Sequence, residues 1–337
     1  MVHNPDLTSS ELAAVWSSYM GDSLNICVMK HFAATVVDPE VKEIVEFSKD
    51  LSEGHLNTLK MIFQKENLLT PQGYTDADVN DKTPKLYSDI FYLRFIQMMA
   101  RYGCFLNGNV LGTTYREDIR AYYTAATEES SELYNRVVKL MESKGILIRS
   151  PYIAYPKKIE FVDDTSFFTG HLTLNKRPLL AIEITHLANN IEMNYVGRTM
   201  VDGLAQITKS KEVRKHMQAG YDLATEIINT LEKTLKDEHL STPTSPDSTM
   251  TNSTESPFTE KLLIGLNSTL SVISIGSLGL GLGASMRSDL VAEYAQLITR
   301  VGKFGVVTGT IAVHNKWMEK PPQTVDRKKL QNKIYED

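Results

Sequence analysis

The chain has 337 residues, more than a single core of ordinary size serves, so two domains are expected. Charged residues make up 23% and hydrophobic ones 42%, an ordinary globular balance, and a formal net charge of -5 gives no electrostatic footprint for nucleic acid. The two cysteines, Cys27 and Cys104, supply no disulfide or metal framework, and the first residues lack the basic start and apolar run of a secretory signal, so a cytoplasmic location is expected.

In chain order, Thr8-Ser9-Ser10-Glu11 offers caps for a helix reaching about residue 35, with Leu12, Val15, Tyr19, Ile26, Met29 and Ala33 on one face. Asp38-Pro39-Glu40 supplies a cap, a first-turn proline and an acid against the helix dipole. It opens a second helix to about residue 66, striped by Val41, Ile44, Leu51, Leu59 and Ile62. So short a joint makes the two helices antiparallel neighbours. Residues 67 to 86 are polar and irregular; Ser88-Asp89 then starts a third helix to about 113, and Arg116 to Gly145 makes a fourth. An irregular passage that long is accounted for when it crosses the length of a four-helix bundle, and short, long, short is the connection pattern of ferritin-like bundles.

The same plan is then written a second time. Residues 11 to 158 recur as 183 to 329, first at an offset of 172 (Glu11 with Glu183, Leu51 with Leu223, Asn57-Thr58-Leu59 with Asn229-Thr230-Leu231). Past the connector the offset is 171 (Gly108 with Gly279, Gly112 with Gly283, Arg116 with Arg287, Asp118 with Asp289). A repeat of this length is a whole domain rather than a solenoid unit. The expected fold is all-α: two tandem ferritin-like four-helix bundles, 1–158 and 159–337, each with a long B–C crossover and a core of its own. The crossovers, 67–86 and 239–257, are expected to tolerate cutting better than any helix. Residues 262 to 286 carry no charged side chain, but the matching stretch 91 to 115 holds Arg94 and Arg101, so a buried bundle helix is expected rather than a membrane span. Residues 146 to 175 hold Tyr152, Tyr155, Phe161, Phe167 and Phe168, enough aromatics to predict an ordered strap packed on the bundles.

The strings Trp16-Ser-Ser-Tyr-Met-Gly-Asp, Glu183-Ile-Thr-His-Leu-Ala-Asn-Asn-Ile-Glu, Arg149-Ser-Pro-Tyr-Ile-Ala-Tyr-Pro-Lys-Lys and Glu319-Lys-Pro-Pro-Gln resemble a family of uncharacterised proteins of spore-forming Bacillus-type bacteria. The resemblance covers nearly the whole chain. It implies tandem ferritin-like bundles and a more distant similarity to a spore coat protein of the same helical type, and it brings no activity and no catalytic residues.

A ferritin-like plan raises the question of a di-metal centre, which needs an inward Glu from each of two helices and Glu-x-x-His from each of two others. Asp22 and His55, aligned with Asn194 and Ile227, lie on apolar stripes of the first two helices and so point inward, with Glu53 nearby in sequence. The third and fourth helices offer no inward acid, since Glu128, Glu129 and Glu132 align with Thr299, Arg300 and Lys303. A hydrogen-bonded Asp22–His55 pair is therefore preferred over a ligand set. Glu183-Ile-Thr-His186 places a carboxylate and an imidazole on one helical face, but two ligands make no selective site, and a structural role is preferred there too. Gly108/Gly112 and Gly279/Gly283 recur four apart, which predicts a close helix contact on that face, with a ligand groove as the alternative.

The leading functional expectation is a non-enzymatic structural or interaction protein, associated with sporulation as the resemblance hints, without a cofactor and open to a protein partner or self-association. The alternatives are a ferritin-like binder or oxidase of a transition metal such as iron or zinc, through Asp22, Glu53 and His55 or Glu183 and His186, and a carrier of a small apolar ligand beside the glycines.

Overall fold

The computed structural model describes residues 5–169, 176–245 and 249–333. Eight long helices form two four-helix halves: α1 (Ser9–Thr35), α2 (Pro39–Lys65), α3 (Asp89–Leu111) and α4 (Glu117–Ser143), then α5 (Ala181–Ile207), α6 (Lys211–Asp237), α7 (Glu260–Ala284) and α8 (Ser288–His314). A short α9 (Arg327–Lys333) follows. The start signals act as read: Thr8 and Glu11 form a reciprocal capping box, Asp38 accepts from the Glu40 and Val41 amides, and Ser88, Ser210 and Thr259 cap α3, α6 and α7. Each of α2, α4, α6 and α8 closes on a left-handed residue at repeat-equivalent places, Asn67, Gly145, His239 and Lys316.

Within each half the neighbours along the chain pair closely, α1 with α2, α3 with α4, α5 with α6 and α7 with α8. Between halves, α1 packs on α7 and α3 on α5, two contacts that exchange under the repeat. The four helices α1, α3, α5 and α7 thus form an inner layer. Burial follows suit: residues 91–98 are buried without a break, and so is nearly every residue of 26–32 and 199–205. A helix buried all round needs cover on two sides, and its own half supplies only one.

The expectation of a separate core for each copy is corrected by this arrangement. Two apolar clusters do stay within a half, around Val15, Leu59, Phe63 and Tyr123 in the first and around Leu187, Ile227, Leu231 and Tyr294 in the second. The largest cluster instead joins Phe32, Val45, Tyr92 and Phe95 to Met200, Leu204, Met217 and Leu262.

The connectors between the second and third helix of each half are also joined to each other. Isolated antiparallel bridges pair Val79 with Phe258 and Tyr87 with Met250, and the 171-residue offset turns one bridge into the other. The backbone bonds repeat the pattern. Asn80 donates to the Pro257 carbonyl (2.7 Å) and Thr251 to Leu86 (2.9 Å); Ser88 donates to Thr249 (2.7 Å) and Thr259 to Asp78 (3.1 Å). Tyr87 is buried, donates from its hydroxyl to the Met200 carbonyl at 2.6 Å and lies against Gly203 so closely that a Cβ there would sit 2.3 Å from it. The equivalent contact sets Phe258 edge-on against His31 at 5.5 Å. Tolerance of cutting is therefore not expected at residues 78–87, where backbone groups are paired and Asp78, Thr83, Leu86 and Tyr87 are buried. Residues 246–248 of the second connector lie outside the described residues.

The aromatic strap also departs from expectation. Tyr152, Tyr155, Ile159 and Phe161 are more than 80% exposed, so residues 149–162 do not pack on the bundles; residues 170–175 lie outside the described residues. Among the described residues, α7 is the one helix long and apolar enough to cross a membrane, and half of its most apolar window is buried in the fold, where α5 and α8 cover it.

Candidate functional site

Between the outer apolar cluster and the shared one, each half holds a cavity at the same height. The one in the first half is about 180 Å³ and is walled by α1 to α4; the one in the second is about 60 Å³. Their linings coincide under the repeat, and the chemistry changes: Asp22 corresponds to Asn194, Asn25 to Gly197, Ser52 to Ala224, His55 to Ile227 and Leu133 to Phe304. Each cavity is closed by one residue of the opposite half, and these two are also equivalents, Thr269 over the polar cavity and Met98 over the apolar one. The difference in size has a packing cause. Phe32, Tyr92 and Phe95 stack between α1 and α3, with Phe32 and Tyr92 ring centres 3.8 Å apart, and hold these helices apart, whereas α5 and α7 approach closely.

In the polar cavity the structure brings Asp22 and His55 together and adds a residue that sequence reasoning placed on the surface. The His55 Nδ1 lies 3.4 Å from Asp22 Oδ1, and its Nε2 lies 2.6 Å from Glu129 Oε2 of α4. Burial alone would lower the imidazole pKa, but the two carboxylates outweigh it and raise the value to about 9. At neutral pH the group is thus a fixed imidazolium, with the Tyr122 ring edge-on at 5.7 Å. Glu129, expected on the solvated surface, is only partly so: it lies outside the cavity lining, and its carboxylate turns onto His55 of α2. One sequence signal could have marked it. Asp22, His55 and Glu129 are replaced together in the second copy, by Asn194, Ile227 and Arg300. Glu53 does not join them; it lines a separate cleft with Lys30 and Asp76.

As a metal site the set is poorly formed, because His55 stands between its two carboxylates and both ring nitrogens are already engaged. Among the described residues, no group of three or more His, Cys, Asp and Glu side chains is arranged to hold a metal ion.

Glu183 and His186 are not brought together at all. Glu183 is fully buried and accepts two bonds from Arg177, both 2.8 Å, and one each from the backbone amides of Leu180, Met286 and Arg287. Burial would raise its pKa; Arg177 and the amides lower it instead. His186, half-buried, makes no part of this network, and burial lowers its pKa. The counterpart Glu11 does the same work, accepting from Thr8, Tyr115 and Arg116. Beside both glutamates, Arg116 pairs with Asp118 and Glu66, and Arg287 with Asp289 and Glu238, the same four positions in each copy. These acids pin the start of α1 or α5 to the α3–α4 or α7–α8 turn.

The recurring glycines fail the packing expectation. A Cβ on Gly108, Gly279 or Gly283 would meet nothing within 4 Å, and on Gly112 only the backbone of its own turn; all four are exposed and none lines either cavity. The close approaches lie at glycines without that recurrence, Gly103 beside Ser130 and Gly281 beside the Tyr294 ring.

Compared with known proteins, the chain matches one family model twice, over residues 1–159 and 167–330; the family is described as protein of unknown function (DUF3231). A search of curated proteins finds no match. A solved structure described as a putative spore coat protein, from Bacillus halodurans C-125, is similar at 17% identity with a TM-score of 0.42, covering 45% of this chain and 98% of that one.

Proposed function

Because this chain belongs to the DUF3231 family through each of its two halves, we propose that it is a structural or interaction protein rather than an enzyme. The observation that carries this reading is that the ionisable side chains best placed for chemistry are turned on one another. Both nitrogens of His55 face carboxylates, and both oxygens of Glu183 are filled by five donors. Such groups position helices; a catalytic acid or base needs a free lone pair or proton at working pH.

Each half is read as a ferritin-like bundle in which residues 66–88 and 238–259 are the long crossover, a reading supported by the short joints 36–38, 112–116, 208–210 and 285–287. The place of work is the cytoplasm of a spore-forming cell, at the developing spore, and the partner is another protein or a second copy. A fluorescent fusion of the full chain, followed through growth and sporulation, is expected to gather at the forming spore; uniform distribution throughout would remove that part of the proposal. Metal analysis of protein purified without chelator separates this reading from the ferritin-like one, and stoichiometric iron or zinc would overturn it.

A further inference from the structure

The cavity of the first half has features that a merely unfilled core would not have. Its counterpart, where α5 and α7 approach closely and Phe304 stands in place of Leu133, is about 60 Å³ and has no ionisable side chain in its lining, while this one is about 180 Å³ and carries Asp22 and His55 beside amides and hydroxyls. A dry engineered cavity of about 150 Å³ accepts benzene, so the volume suits a ligand of roughly that size.

Three of the polar groups offer an acceptor oxygen to the cavity. Asn107 donates its amide to the Ala126 carbonyl and Ser130, both 3.2 Å, which fixes its orientation and leaves its side-chain oxygen as an unused acceptor. Asn25 likewise donates to Ser52 at 2.9 Å and keeps its oxygen. Asp22 gives one oxygen to His55, at 3.4 Å, and has a second to offer. No Lys or Arg lines the cavity, and His55 is engaged by Glu129 from outside the lining, so Asp22 is the one acid on the wall. The lining also holds Leu51, Met99, Leu106 and Leu133.

We propose that this cavity is a binding site for a small primary amine, whose ammonium group donates to Asp22 and the acceptor oxygens of Asn25 and Asn107 while its apolar body lies on the leucines and Met99. An ammonium has three donors and no acceptor, which complements these three acceptor oxygens, and it pairs its charge with the Asp22 carboxylate. A carboxylate of the same size would face Asp22 with no hydrogen to donate, and a neutral alcohol would offer one donor in place of three. The site is complete only in the full chain, because Thr269 of the second half closes it.

The test is calorimetric titration of the full chain with three probes of similar size: benzylamine, benzyl alcohol and benzoate. Benzylamine is expected to bind about tenfold or more tightly than benzyl alcohol, with no heat from benzoate, and Asp22→Asn is expected to weaken benzylamine by about tenfold. Ser52→Leu, which fills the cavity without removing a charge, should abolish binding while the variant still melts cooperatively; it keeps the test decisive if Asp22→Asn folds poorly. Equal binding of amine and alcohol, unchanged binding in Ser52→Leu, or no heat with benzylamine at millimolar concentration would each overturn the proposal.

Discussion

Glu11 and Glu183 show how one side chain can hold two ends of a bundle. Each sits in the first turn of a helix, where its charge suits the dipole, and each spends its oxygens on the amides of a turn more than a hundred residues away. Removing Glu183 would leave the Arg177 guanidinium and the backbone amides of Leu180, Met286 and Arg287 short of their acceptor. Glu183→Ala is therefore expected to cost about 3 kcal/mol and His186→Ala less than about 1, read from denaturation midpoints; equal losses would contradict the clamp. The clamp also sets an acid limit. Burial would raise the Glu11 pKa, but its hydrogen bonds bring it from 4.5 to about 2, so its contribution is complete above 4.5 and is lost as pH falls toward 2. Glu11→Gln should flatten the stability profile in that window. His55 runs the other way. Its pKa is raised from 6.5 to about 9, so the stability it adds is complete below 6.5 and disappears as pH rises through 9. Titration of its ring protons by NMR should give a midpoint near 9, and a midpoint at or below 6.5 would show that the two carboxylates do not hold it. The Asp22–His55 pair was legible from the stripes they interrupt; Glu129 was not, because comparison with Arg300 gave it a surface reading while its own reach across α2 depends on where α4 sits.

At the scale of helices, the caps, the first-turn proline and the period of the apolar stripes were enough to place all eight to within a few residues, since these signals are local. Recurring glycines are a weaker signal, because recurrence reports a shared requirement without naming it. The structure divides the glycines of α7 by what surrounds them. Gly279 is exposed with open space at its Cβ position, so Gly279→Ala is expected to stabilise by about 0.5–1 kcal/mol through helix propensity. Gly281 is buried, and a Cβ there would lie 2.6 Å from the Tyr294 ring, so Gly281→Ala is expected to lower the melting temperature. Thermal denaturation of the two variants side by side should give shifts of opposite sign.

For the whole molecule, the repeat disclosed two equivalent halves but not that they share a core. An apolar position facing a neighbour in its own bundle and one facing the other bundle look alike in sequence; only burial on every side of α1, α3 and α5 tells them apart. Residues 1–158 and 159–337 produced separately are expected to self-associate or lose cooperative unfolding, whereas the two produced together should co-elute as one species of the full chain's size. A cooperative, monomeric single half would show that the shared cluster is dispensable. The paired connectors have a further consequence. Their contacts exchange under the repeat, so a first half can be satisfied equally by the second half of its own chain or by that of a neighbour. What favours the intramolecular choice is the segment joining α4 to α5, which keeps the proper mate at a high effective concentration. Refolding above that concentration would yield domain-exchanged chains, native at every contact and joined end to end, so that assembly into larger bodies requires no new surface, only crowding.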